Sequence, residues 1–263
     1  MKNEVCAIYR SLIKRNLRCA FPLYSLQTQA YNLKVLSKLE FNPQGPFPLV
    51  TYDECSYQQA QEHSVLVDEL LGFRTAEVET ALLKSSAYQV QADQNIPVQF
   101  WRGLPVQALQ TPYSEIRWIL DLLNLQPGET VVDLGCGYGR MAFVLGKHHP
   151  GVNFVGYELV AERVDEGNRV LQSFNYPSVK IVTQDLTAPD FIPVKAQHYF
   201  LFDYGSAAAV DKTLEDLKTH AKGESINVIA RGRYTRHRIY QAHPWLAEIN
   251  EPNVQETFTI FKS

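Results

Sequence analysis

Residues Val131 to Gly139 read VVDLGCGYG and gather several chemical devices into one short stretch. Val131, Val132 and Leu134 have the character of a short buried strand. Asp133 stands near its carboxyl end, where an acid suits a cationic ligand or one carrying a free ammonium group. Gly135, Gly137 and Gly139 then remove side chains where the chain must turn sharply and come close to a ligand. The helix that follows presents its N-terminal N–H groups and positive dipole end at the same place. Cys136 sits inside this loop with no partner base adjacent in sequence, and reads as a small filler, not a nucleophile. The GxGxG spacing differs from the GxxG end of a dinucleotide-binding loop, and the GxxxxGK[ST] of a phosphate loop is absent. Taken alone, the loop is also compatible with a glycine turn that binds nothing.

Two further acids follow at matching places. NFVGYE (153–158) reads as a second strand ending in Glu158, 23 residues after Gly135. A carboxylate there has the two acceptor oxygens needed to take both hydroxyls of a ribose. After a third strand come Asp185, suited to accept the exocyclic amine of adenine, and Leu186, suited to cover the ring. Each acid alone is more often a solvated one. In order, each at a strand's carboxyl end, they point to one ligand, because open α/β sheets bind ligands at that edge.

The elements that must position these residues alternate from about residue 111. TPYSEIRWILDLLNL (111–125) is expected as a helix with Thr111 as N-cap, Pro112 at the first position and Glu115 in the first turn, ended by Pro127-Gly128. Then follow strand 130–134, helix 139–148, strand 153–157, helix 160–174, strand 179–183, strand 198–202, helix 206–221 and strand 225–230, with late strands near 245–249 and 256–262. Such alternation implies a largely parallel α/β sheet covered by helices on both faces. Residues 1–95 are different: helical spacing at Ile8, Leu12, Ile13, Leu17 and again at Leu66, Leu70, Leu71, Val78, Leu82 and Leu83, with a Pro-rich break at 41–50. The chain is therefore read as a helical N-terminal lid or substrate region, 1–95, and a ligand-binding α/β domain, 96–263.

Bulk properties narrow the function classes. The net charge of −3 gives no general attraction to phosphate backbones, so nucleic acid is not expected as a partner. Residues 1–40 carry seven Lys/Arg against two acids and residues 41–100 two against eight, as expected for complementary helices packed together; a basic arm for an acidic partner is the sharper reading. Cys6, Cys19, Cys55 and Cys136 form no CxxC pair or metal-like cluster, which implies free thiols, a reducing compartment and no metal. The first residues do not resemble a signal peptide and no apolar run approaches membrane-spanning length. The expectation is a soluble, cytoplasmic protein of unread oligomeric state.

Residues 111–263 resemble a class I S-adenosylmethionine (SAM)-dependent methyltransferase. DLGCGYG matches that family's first motif, Glu158 its ribose acid and Asp185 its adenine acid. The resemblance implies SAM as cofactor and a Rossmann-like seven-stranded sheet in the order 3-2-1-4-5-7-6. LQTPYSEI followed by DLGCGYGR is also similar to the non-SET histone-lysine methyltransferases of the telomeric-silencing type and their bacterial relatives, which would place Thr111, Tyr113 and Glu115 near the methionine part of SAM. FDYGS lacks the eukaryotic members' Asn-rich motif and the chain lacks their basic DNA-contacting tracts, so histone activity is not carried over.

Methyl transfer from a sulfonium needs alignment above all, which can supply roughly 7–11 kcal/mol of barrier reduction. In YFLFDYGS (199–206), Asp203 is expected to bind an acceptor amine or take its proton, and Tyr204 to pack on the acceptor or the methionine arm. The bland role for Asp203 is a cap for helix 206–221, although Ser206 is an equally good one. This segment departs from the Asn/Asp-Pro-Pro-Tyr motif of adenine- and glutamine-amide-methylating members. RGRYTRHR (231–238) is expected as a solvated loop, with a site for an acidic or phosphorylated substrate as the alternative. Trp101, Trp118 and Trp245 are expected in the core or a domain interface. The expected acceptor is a nitrogen or oxygen of a protein, a lysine among them, or of a small molecule; a module that kept the fold without the catalysis is the rival.

Overall fold

The computed structural model describes residues 39–85 and 106–263. The basic segment up to Lys38, Cys6, Cys19, Trp101 and the boundary between 95 and 96 lie outside the described residues. In chain order the elements are α1 (Tyr57–Leu71), α2 (Thr75–Lys84), a 3-10 turn (Val106–Leu109), α3 (Tyr113–Leu122), β1 (Thr130–Leu134), α4 (Arg140–His148), β2 (Asn153–Glu158), α5 (Ala161–Leu171), β3 (Val179–Thr183), β4 (His198–Phe202), α6 (Ala207–His220), β5 (Asn227–Arg231), α7 (Arg233–Ala242), α8 (Pro244–Ala247), β6 (Asn253–Val254) and β7 (Phe258–Lys262).

The seven strands form one sheet in the order β3-β2-β1-β4-β5-β7-β6, as the resemblance implies. β1 to β5 pair in parallel, while β7 runs antiparallel to β5 and β6. Side chains alternate along each strand, so the sheet builds two cores. Val131, Phe154, Ile181, Phe200, Ile229 and Phe258 pack with α3, α4 and α5. Val132, Leu134, Tyr199, Leu201, Val228 and Ala230 pack with α6 and Ile239 of α7. Phe47, Val67 and Phe73, from the segment before the sheet, belong to the first core.

The structure corrects several boundaries. Thr111 is not the cap of α3: Pro112 occupies the cap position with φ −59° and ψ 146°, and the Tyr113 N–H donates to Ser64 Oγ of α1 at 3.1 Å. A serine from another helix thus satisfies the donor that a local cap would have taken. Residues 231–238 are not a solvated loop, because Arg231 ends β5 and Arg233 opens α7. Nor is 245–249 a strand. Pro244 opens the short helix α8, where its missing N–H is no loss, and the edge strand is the two-residue β6.

Candidate cofactor site

Strand order reverses between β1 and β4, and the carboxyl ends of these two strands frame a cleft at that switch point. The cleft encloses about 390 Å³, counting its part open to solvent, and is lined by residues from the glycine loop and from β1, β4, α3 and α4. Gly135, Gly137 and Gly139 have φ of +90°, +56° and +76°, which is left-handed backbone that only glycine adopts freely. A Cβ on Gly139 would overlap Ile181, whereas one on Gly137 would meet nothing within 4 Å.

Asp133, Gly135, Cys136, Gly137 and Thr111 line the cleft. Asp133 is buried, and its carboxylate receives no hydrogen bond among the described residues. Burial, and then the charge of Glu158, push its pKa up to about 8. Burial, with Asp133 and Glu158 adding to it, raises the Cys136 thiol, which suits the packing role expected of it. Its Sγ lies over Gly156 of β2, at 2.7 Å from where a Cβ would stand.

Glu158 stands beside the loop. Its Oε2 accepts the Gly137 N–H at 2.9 Å and its Oε1 the Val160 N–H at 3.0 Å. Asp185 is exposed just past β3, where its Oδ1 accepts from the Thr187 N–H at 2.8 Å and hydroxyl at 2.6 Å; Leu186 is buried in the second core. Tyr113 and Glu115 point elsewhere. The Tyr113 hydroxyl donates to Asp68 at 2.9 Å, while Glu115 receives Arg231 at 2.9 and 3.0 Å, the Thr257 hydroxyl at 2.8 Å and the Tyr52 hydroxyl.

The two residues expected to act on the acceptor are also engaged. Asp203 caps α7, and not the helix that follows it in sequence, accepting the N–H groups of Tyr234 at 3.3 Å and Thr235 at 2.8 Å. Ser206 caps α6. Tyr204 is buried with its hydroxyl on Thr213. Neither is among the residues that line the cleft, although Tyr204 packs beside Gly135 of the loop.

Arg140, Gln110, Ile116, Met141, Phe200 and Phe202 also line the cleft, beyond the residues that the sequence suggests. Arg140 closes the motif DLGCGYGR, but the partners that make it part of the site are distant in sequence. Its guanidinium is buried against Asp68 of α1, with Nη2 on Gln107 Oε1 at 2.6 Å and Nη1 on the Thr111 carbonyl at 3.3 Å.

The model of a family described as "Methyltransferase small domain" matches residues 116–192, the stretch holding β1, the glycine loop, Glu158 and Asp185. The chain has the class I SAM-dependent methyltransferase fold. Other proteins of similar sequence or fold include the S-adenosyl-L-methionine-dependent Diels-Alderase iccD of Talaromyces variabilis. The two are 29% identical over 101 residues, covering 36% of this chain and 34% of that protein. The chain therefore spans about a third of that relative's length. PKMT2 from Rickettsia typhi, in complex with AdoHcy, is 19% identical over 40% of this chain and 21% of that one, with a TM-score of 0.36. An RNA methyltransferase from Salinibacter ruber, in complex with S-adenosyl-L-homocysteine, is 17% identical over 58% of this chain and 90% of that one, with a TM-score of 0.41.

These comparisons correct one expectation of partners. RNA and tRNA methyltransferases are among the similar structures, against the expectation that nucleic acid is not a partner. A net charge averages over surfaces far from the mouth of the cleft and says little about the one that faces an acceptor. No helix among the described residues is long and apolar enough to cross a membrane.

Proposed function

We propose that the chain is a SAM-dependent methyltransferase whose cofactor lies across the carboxyl ends of β1, β2 and β3. The observation that carries this reading is Asp133, a buried acid without a hydrogen-bond partner among the described residues, at the foot of the glycine loop that lines the cleft. A cationic amino-acid moiety suits that acid, and Gly135, Cys136, Gly137 and Thr111 would surround it. Glu158 would accept the ribose hydroxyls, with Asp185 and Leu186 at the adenine. SAM supplies an activated methyl group, and the chain's contribution is to hold and align. Phe200, Phe202, Ile116 and Met141 would exclude water from the path of transfer. The helical region within 1–95 would select the acceptor at the mouth of the domain 96–263, in a cytoplasmic protein.

The acceptor is a nitrogen or oxygen nucleophile, a protein lysine among the candidates. A lysine must lose its proton first, and the apolar wall favours its neutral form. A second reading keeps SAM bound without methyl transfer. It draws support from the similarity to a SAM-dependent Diels-Alderase and from the engagement of Asp203 and Tyr204. Calorimetry with SAM and its demethylated product, followed by incubation of methyl-labelled SAM with cell extract, separates the two. Binding together with label in a protein, RNA or small-molecule fraction is expected. Binding without any label would favour the second reading, and no binding at millimolar SAM would reject both.

The glycine loop gives a sharper check. Gly137→Ala should keep the fold, losing about 1 kcal/mol to left-handed backbone, while weakening SAM by about tenfold or more because its methyl enters the ligand's space. Gly139→Ala should instead destabilise by about 2–4 kcal/mol, since overpacking against Ile181 adds to the same strain. Thermal melts with and without SAM distinguish the two variants.

A further inference from the structure

Helix α2 contributes a carboxylate that reaches the glycine loop from outside. Glu79 accepts the Tyr138 hydroxyl at 2.8 Å, and Tyr138 is a loop residue. It also accepts the two donors on one edge of the Arg163 guanidinium, Nε at 2.8 Å and Nη2 at 3.1 Å, in a bidentate fork. The remaining nitrogen, Nη1, lies 3.8 Å from Glu158 Oε1, and Glu158 Oε2 in turn holds the Gly137 N–H. The side chains of Glu79, Arg163 and Glu158 are 15%, 11% and 4% exposed, too enclosed for solvent to screen them as it screens a surface pair.

The order of distances matters. Arg163 sits in direct contact with Glu79 and 3.8 Å from Glu158, whose Oε1 accepts, among the described residues, a hydrogen bond from the Val160 N–H alone. Glu158 is a second carboxylate within 4 Å of Arg163, so loss of Glu79 would let it draw the guanidinium in, and closing the remaining gap would tie up the oxygen assigned to a ribose hydroxyl. Tyr138 would lose its anchor at the same time.

We propose that Glu79 is a positioning residue for the cofactor: it holds Arg163 off Glu158 and Tyr138 in place, so that α2 sets the affinity of the glycine loop. This rests on the SAM reading above. It is tested by calorimetry with SAM on the full chain, below the melting temperature of each variant. Glu79→Ala should weaken SAM about tenfold, and Glu79→Ala combined with Arg163→Met should recover most of that loss, although the double variant gives up more packing and melts lower. A merely structural role predicts no recovery. Glu79→Gln keeps an acceptor for Tyr138 but not the charge that holds Arg163. It should weaken SAM about threefold and serves if Glu79→Ala fails to fold. Affinity within error of the wild type in Glu79→Ala or, where that variant does not fold, in Glu79→Gln would overturn the proposal, as would a double variant no better than Glu79→Ala. A wild-type chain that binds no SAM would overturn the cofactor reading itself.

Discussion

Glu115→Gln is expected to destabilise the protein by about 3–5 kcal/mol, because it leaves the buried guanidinium of Arg231 without its counter-charge. The side chains of this pair are 0% and 4% exposed. Glu115 also receives the hydroxyls of Thr257 and Tyr52, while Arg231 lies over the Phe202 ring at 4.1 Å and donates to the Tyr57 hydroxyl at 3.2 Å. The cluster therefore joins α3, β5, the end of the sheet and the segment around α1. At roughly 2–4 °C per kcal/mol for a chain of this size, the melting temperature should fall on the order of 10 °C. Arg231→Met should cost a similar amount, whereas Glu115→Leu with Arg231→Met should cost far less than the sum, since an apolar pair carries no desolvation penalty. Below the melting temperature, SAM affinity should remain within about twofold of the wild type. If Glu115 instead touched the methionine part of the cofactor, as the second resemblance implies, Glu115→Gln would weaken SAM strongly and move the melting temperature little. The pair of measurements decides between the two roles.

The contrast between Glu115 and the glycine loop shows what a sequence can carry. β1 to β5 were legible because a parallel sheet demands alternating apolar strands and helices, and the loop because its φ values admit little but glycine. Both requirements act within a few residues. Other positions depend on partners far along the chain. Glu115 meets Arg231 across 116 residues, and Asp203 meets the start of α7 across 32. Nothing local announces α7: the residue before it is Gly232, and the side chain that caps it comes from the end of β4. The basic cluster 231–238 reads as a loop for that reason. Arg140 was visible in its motif, but its place in the site depends on Asp68, 72 residues earlier. Acids that looked like a solvated face before residue 100 turn inward in part, Asp68 onto Arg140 and Glu79 onto Arg163.

SAM binding should release close to one proton at pH 6.5 and tighten as pH rises toward 8. Asp133 is the cause. Burial, with the Glu158 charge adding to it, pushes its pKa up to about 8, so the free protein holds this carboxyl protonated at neutral pH. A ligand ammonium beside it favours the ionised form, so binding drives the proton off. Affinity should gain up to about tenfold per pH unit below 8 and level off above it. Stability of the ligand-free chain should show the opposite trend. In the unfolded chain the same carboxyl ionises near pH 4, so between about 4 and 8 the native state binds the extra proton and this contribution to stability is lost as pH rises through that window. Asp133→Asn should remove both pH dependences together. It should leave the ligand-free chain at least as stable near pH 8, where the charge would otherwise be forced into a buried site, and weaken SAM throughout. Calorimetry in two buffers of different ionisation enthalpy counts the protons directly. A count near zero at pH 6.5, with SAM bound, would remove Asp133 from the ammonium site and leave the glycine loop and Glu158 to hold the ligand without it.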